Sequence, residues 1–261
     1  MSIQNKEKLN QLYDLLPEGA IVSSRWLQEK GYSCQLIFKY ARTGWLKSVG
    51  RGAYCRPTTE VTWRGLIASW QNVDKGAFHV GGETALNLQG FAHYLKFSGE
   101  GQIYLFGHSA IPAWVKQVAL KEFFRFKSGC ISEESKKTLG LTETPSMISG
   151  WMLKVSGPER AILETLEEVR DEFTFTFAAE LMEGLTTLRP KLVNQLLQIC
   201  SNIRVKRLFM FMAKYYNHAW VKQIQERTVE LGKGKRVVVQ KGKLNKEYLI
   251  TVPKIFYDRS K

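Results

Sequence analysis

The chain has 261 residues, 44% of them hydrophobic, and a formal net charge of +14. That length holds two ordinary domains with a core in each, and the composition excludes a disordered chain. The basic excess points to a polyanionic partner, nucleic acid before membrane, although a basic surface can also be merely solvated.

Other classes are thinned by what is missing. No run of about 18 apolar residues is present, so no membrane span is expected. The N-terminal stretch lacks the apolar segment of a secretory leader. The cysteines Cys34, Cys55, Cys130 and Cys200 are isolated, with no C-x-x-C pair, and the histidines never fall at metal-ligand spacing. The expectation is a reducing cytoplasm, with no metal and no cofactor. Asp14, Asp74, Asp171 and Asp258 lie far apart, and neither a phosphate-binding loop nor a nucleophile elbow occurs. An enzyme reading therefore starts weak.

In chain order, Leu9, Leu12, Leu15 and Leu16 repeat at helical spacing and predict a first helix over 5–16. Pro17, Glu18 and Gly19 end it, and residues 20–22 read as a short apolar link. Ser23 or Ser24 offers an N-cap hydroxyl to a second helix, which turns Trp26 and Leu27 inward and stops at Gly31. Only Tyr32 separates Gly31 from Ser33, the next N-cap. Two helices joined by so tight a glycine turn are the helix-turn-helix signature.

The third helix, SCQLIFKYART, closes at Gly44. Leu36, Ile37, Tyr40 and Ala41 form its apolar side. Gln35, Lys39 and Arg42, at i, i+4 and i+7, share the opposite face. Folding alone does not require that stripe; a helix in the major groove does, pairing Gln with adenine and Lys or Arg with guanine. In WLKSVGRGAYCRP, two strand-like runs flank Gly50 and Arg51, which suits a two-residue hairpin with glycine first. A hairpin after a recognition helix is a wing, and Arg51 at its tip suits phosphate or a narrow minor groove. The expected DNA-contacting set is Ser23, Ser24, Arg25, Ser33, Gln35, Lys39, Arg42, Lys47 and Arg51. The competing reading is a small winged helix used for protein contacts.

A polar stretch after Pro57 places a domain boundary at 58. The winged helix-turn-helix occupies 1–58, and a larger domain 59–261, with a further division near 155. Residues 62–72 predict an amphipathic helix, and His79 with Val80 is extended. Gly81 and Gly82 open a short helix ended by Gly90; the glycine pair can cradle an anion, but a packing turn is the preferred reading. Residues 102–106, 119–126 and 151–155 read as strands. At SGPE, Ser156 is expected to cap a helix, Pro158 to lie in its first turn and Glu159 to complete a capping box, with Glu159 and Arg160 exposed to solvent. Helical patterns follow over 176–185, 190–200 and 203–223, and in the last of these Arg204, Arg207, Lys214 and Lys222 read as a solvated face. Residues 232–261 form a basic terminal β-hairpin, read as a lysine-guarded edge, a phosphate-contacting surface or a dock for an acidic protein. The one E-x-K in the region, at Glu134 and Lys136, lacks an aspartate at a useful distance. The fold class expected is α+β: a winged helix, then a larger mixed α/β domain ending in a hairpin.

The order of parts, GRGAY, then GGETALNLQG, then SGPERAILE, resembles the AbiEi family of type IV antitoxins over nearly the whole chain. The resemblance implies a bacterial regulator that binds inverted repeats in the promoter of its own operon through the N-terminal domain. It further implies that the larger domain counters a nucleotidyltransferase-like toxin, without a stable complex between the two proteins. The positions it carries onto this chain are Gln35, Lys39, Arg42 and Arg51. A monomer in solution, or a dimer on DNA, is expected. The alternative is an orphan winged-helix regulator whose C-terminal domain senses a ligand or a protein.

Overall fold

The computed structural model describes residues 3–91, 101–131 and 137–258. The first helix, α1 (Ile3–Leu15), buries Leu9 and Leu12 but leaves Leu15 40% exposed. Leu16, fully buried just past the helix, completes the apolar face. Tyr13 Oη donates to the Trp45 carbonyl and Tyr32 Oη to the Lys8 carbonyl, each at 3.0 Å. Arg56 donates to the carbonyls of Tyr13 and Leu16 and lies over the Tyr13 ring. One cation of the basic N-terminal region therefore satisfies the last turn of α1.

Residues 20–22, expected as a link, lead into a strand, β1 (Ile21–Ser23). It joins β2 (Lys47–Gly50) and β3 (Ala53–Cys55) in an antiparallel sheet ordered β1-β3-β2. Three apolar residues are too few for alternation to show, and the partner strand is distant in sequence. Between β1 and β2 lie α2 (Ser24–Glu29) and α3 (Cys34–Arg42). Helix, strand, two helices and a two-stranded return make the winged helix-turn-helix order.

The hairpin turn is Arg51 and Gly52, one residue later than expected. Gly50 pairs with Ala53, and Gly52 takes φ +76°, the second central position at which a type II turn favours glycine. Gly50 answers a different need. A Cβ there would lie 2.4 Å from the Gln117 carbonyl oxygen, on α6 (Ala113–Gln117), a helix that packs on β2 and β3.

The chain divides into two compact units: residues 1–78, 108–123 and 143–154, and residues 79–107, 124–142 and 155–261. The first takes in more than the 1–58 expected of the winged helix, because α4 (Trp63–Val73) is part of the same packing. Ser69 Oγ of α4 accepts the Ile21 N–H at 2.8 Å, and a Cβ on Gly65 would sit 2.7 Å from the Gly19 carbonyl oxygen. Residues 66–71 are all buried, so α4 is a central helix and not the one-sided helix expected.

The second unit contains α5 (Gly82–Leu88), α7 (Pro158–Leu166), α8 (Glu172–Gly184), α9 (Pro190–Ile199) and α10 (Ile203–Tyr216). α10 is shorter than the 203–223 pattern because Asn217 caps it in the left-handed conformation, and a 3-10 turn follows at Ala219–Gln223. The unit ends in the antiparallel pair β9 (Lys243–Asn245) and β10 (Ile250–Val252), then α11 (Lys254–Asp258). A five-stranded sheet runs β6-β5-β4-β8-β7, from β4 (Phe78–Val80), β5 (Gln102–Gly107), β6 (Phe123–Lys127), β7 (Leu141–Pro145) and β8 (Met152–Ser156). β4 and β8 are parallel, with Val80 opposite Val155. The chain is thus α+β, as expected, with α6, β7 and α11 added and the terminal hairpin confined to residues 243–252 of the expected 232–261.

Candidate nucleic-acid interface

The turn between α2 and α3 is built by two serines and a glycine. Ser23 Oγ accepts the Trp26 N–H at 3.1 Å, and Ser33 Oγ accepts the Leu36 N–H at 3.3 Å. Both hydroxyls are engaged as N-caps, and Ser23 is buried as well, which removes it from the accessible set. Gly31, at φ +88°, supplies the reversal. Leu27 is fully buried, but Trp26 is only partly covered, with Lys30 Nζ 5.8 Å from its ring.

α3 buries Ile37 and Tyr40 and turns Gln35, Lys39 and Arg42 to solvent together. Among the described residues, none of Gln35, Lys39, Arg42, Lys47 and Arg51 has a side-chain hydrogen bond or ion pair. Arg25 differs: its Nε lies 2.9 Å from Glu29 Oε1, both side chains exposed. Ser24 donates to the Gly52 carbonyl from its N–H at 2.9 Å and from Oγ at 3.3 Å. The wing is accordingly short. β1 and β3 pair right up to the turn, Ser23 against Ala53, so Arg51 stands beside the start of α2 and not at the end of a long arm. Arg25, Trp26 and Arg51 border an open cleft of about 850 Å³ in this unit, where Asp74 accepts from Trp114 Nε1. The outward face of α3 also holds Phe38, 67% exposed, whose side chain has no hydrogen-bonding group and so gives no polar signal in the sequence.

The two other quoted motifs meet around one carboxylate. Glu164 of α7 is 1% exposed in its side chain. Its Oε1 lies 2.9 Å from His79 Nε2 and from Arg160 Nε. Its Oε2 accepts from the Ser156 hydroxyl at 2.7 Å and from the Gly82 N–H at 2.9 Å. The glycine pair does cradle an anion, and the anion is the chain's own. A Cβ on Gly81 would lie 2.3 Å from Glu164 Oε2, which is why the position has no side chain. Burial pushes the Glu164 carboxyl up, but the His79 imidazole, the Arg160 guanidinium and the Ser156 hydroxyl bring it down to about 2.

The capping box expected at Ser156 is therefore absent. Ser156 closes β8, and Gly157 is the N-cap of α7, with no side-chain cap. Glu159 and Arg160, expected in solvent, are 2% and 5% exposed. Glu159 receives the Arg189 N–H and guanidinium at 2.8 to 3.0 Å, and Arg160 Nη1 donates to the carbonyls of Lys137 and Leu139. The cluster is saturated with internal partners and packs the helix start against β4 and β8.

The same correction applies to Arg204 and Arg207 of α10, whereas Lys214 and Lys222 are exposed as expected. Arg207 is 1% exposed and donates to the carbonyls of Leu231, Gly232, Gly234 and Leu249. Arg204 donates to those of Glu167 and Val169. Arg207 thereby gathers the basic terminal segment, whose Lys233, Lys235, Arg236, Lys241, Lys246 and Lys254 are exposed. Glu134 and Lys136 lie outside the described residues. Among the described residues no three histidine, cysteine or carboxylate groups are placed to hold a metal ion, and no helix is long and apolar enough to cross a membrane.

Family models match both parts of the chain. One described as the N-terminal domain of the AbiEi antitoxin, a transcriptional regulator, matches residues 5–97. One described as transcriptional regulator, AbiEi antitoxin, type IV toxin–antitoxin system, matches residues 100–253. No curated protein matches the sequence. Among solved structures, the crystal structure of the RV2827C protein from Mycobacterium tuberculosis is similar in fold, with a TM-score of 0.58 at 15% identity over 92% of this chain and 89% of that one.

Proposed function

This chain belongs to the AbiEi antitoxin family of type IV toxin–antitoxin transcriptional regulators, and we propose that it represses its own operon by binding inverted repeats in the promoter through the winged helix. The observation that carries this reading is the outward stripe of Gln35, Lys39 and Arg42 on a capped α3, unengaged by other side chains among the described residues. In this reading α3 enters the major groove, where Gln suits adenine and Arg or Lys suits guanine. Lys47 and Arg51 meet phosphate, with Ser24, Arg25 and Ser33 at the margin. One short helix makes few base contacts, so two copies, monomeric in solution, occupy the two halves of an inverted repeat. The larger part of the chain counters a nucleotidyltransferase-like toxin in the cytoplasm without a stable complex; family membership is the support for this half.

Separation of the two activities tests the proposal. A reporter behind the chain's own promoter is repressed by the wild type and released by the Gln35/Lys39/Arg42 triple alanine variant. The same full-length variant still rescues growth when the neighbouring toxin gene is co-expressed. Persistent repression would overturn the α3 assignment, and lost rescue by a folded variant would overturn the division of labour. If no nucleotidyltransferase-like gene is co-transcribed, the orphan regulator is the better reading.

A further inference from the structure

The outward face of α3 carries one residue that hydrogen-bond readout does not use. Phe38 is 67% exposed, and its place three residues after Gln35 and four before Arg42 puts it on their face of the helix. Packing does not require it there, because Ile37 and Tyr40 are the buried side chains of α3. A lone exposed apolar residue is ordinary on a protein surface. This one stands among Gln35, Lys39 and Arg42, which have no side-chain partner among the described residues.

The surroundings select the occupant. α3 has two cations and no acid, so the face suits a polyanion that displays an apolar spot. In the major groove of B-DNA that spot is the C5 methyl of thymine, and phenylalanine is among the side chains that contact it. We propose that Phe38 is a specificity-determining residue that packs on a thymine methyl beside the base pair read by Gln35. The inference rests on the reading of α3 as the DNA-reading helix and deepens it: each half-site carries a thymine recognised by contact, not by a hydrogen bond.

The test uses the full chain and the duplex upstream of its own gene, with deoxyuridine replacing thymine at one position at a time. Deoxyuridine removes the methyl and keeps the base pair and the charge. The expected result is one thymine per half-site whose replacement weakens wild-type binding about fourfold, the worth of one buried methyl. The same replacement leaves binding by Phe38→Ala unchanged. On the thymine duplex Phe38→Ala binds more weakly with an unaltered salt slope, since phenylalanine neutralises no phosphate. Absence of any methyl-sensitive position, or equal sensitivity in Phe38→Ala, overturns the inference alone. Failure of the wild type to bind the unsubstituted duplex overturns the reading of α3 and this inference with it.

Discussion

α3 and α7 are both nine-residue helices with charged side chains, and they use that charge in opposite ways. On α3, Lys39 and Arg42 stand in solvent with no ion-pair partner among the described residues. On α7, Glu159, Arg160 and Glu164 are buried, and every one is held by partners from other parts of the chain. A cation on a helix face is thus available to a ligand only where the fold offers it no acceptor. Charge spacing on one helix does not reveal this, because the acceptors are distant in sequence: Glu159 meets Arg189, and Arg207 meets carbonyls of residues 231–249.

The sharpest way to break the comparison is to remove a buried charge. Glu164→Ala leaves Arg160 buried without its carboxylate and is expected to cost about 3–5 kcal/mol of stability, as lost buried ion pairs do. Arg207→Ala, which takes the side-chain donor from the carbonyls of Leu231, Gly232 and Gly234, should be of similar size. Denaturant unfolding measures both, and a loss below about 1 kcal/mol would contradict the structural role.

The α3 side of the comparison predicts the reverse pattern. Gln35→Ala and Arg42→Ala should each lower affinity for the cognate promoter by about 1–3 kcal/mol, while unfolding stays within about 0.5 kcal/mol of the wild type. Unfolding shifts as large as those of Glu164→Ala would make α3 structural too.

Acidity separates the two roles further. Glu164 has a folded-state value near 2, below the ordinary carboxylate range. Its stabilising contribution is whole above about pH 4.5 and is lost as pH falls toward 2. Glu167 is the opposite case: burial, then the nearby Glu164 and Glu168, raise it to about 7. Its contribution is present below about pH 4.5 and is lost as pH rises through 7. Glu167→Gln should therefore flatten the decline of stability between pH 5 and 8, recovering on the order of 1–2 kcal/mol at the alkaline end. An unchanged pH profile would show that Glu167 ionises freely.

The smallest effects belong to the margin of the interface. Lys47→Ala and Arg51→Ala should each reduce the slope of log affinity against log salt by about 0.9 if each neutralises one phosphate. Arg25→Ala should change the slope less, because Glu29 already faces the guanidinium, and should cost at most about 0.5 kcal/mol of stability.

Much of the N-terminal region was legible in the sequence because its determinants are local. Ser33 caps the helix it precedes, Gly31 makes the turn it adjoins, and the residues on either face of α3 lie within three or four of one another. What was misread depended on distant contacts. Gly50 suggests a turn one residue too early because it is small for the sake of Gln117, not for the hairpin. Residues 20–22 hid a strand whose partner is β3. α6 and β7, at five residues each, are too short to show a period. The glycine pair at 81 and 82 reads as a packing turn, and the carboxylate it holds, Glu164, lies 82 residues further along the chain.

If α3 is the DNA-reading helix, its exposed stripe binds the promoter and does not hold the fold. Promoter affinity and unfolding free energy, measured together for the Gln35/Lys39/Arg42 triple alanine variant, test it most directly. The expected result is a loss of specific binding with an unfolding curve that overlays the wild type. A folded variant that binds its promoter with wild-type affinity would contradict it.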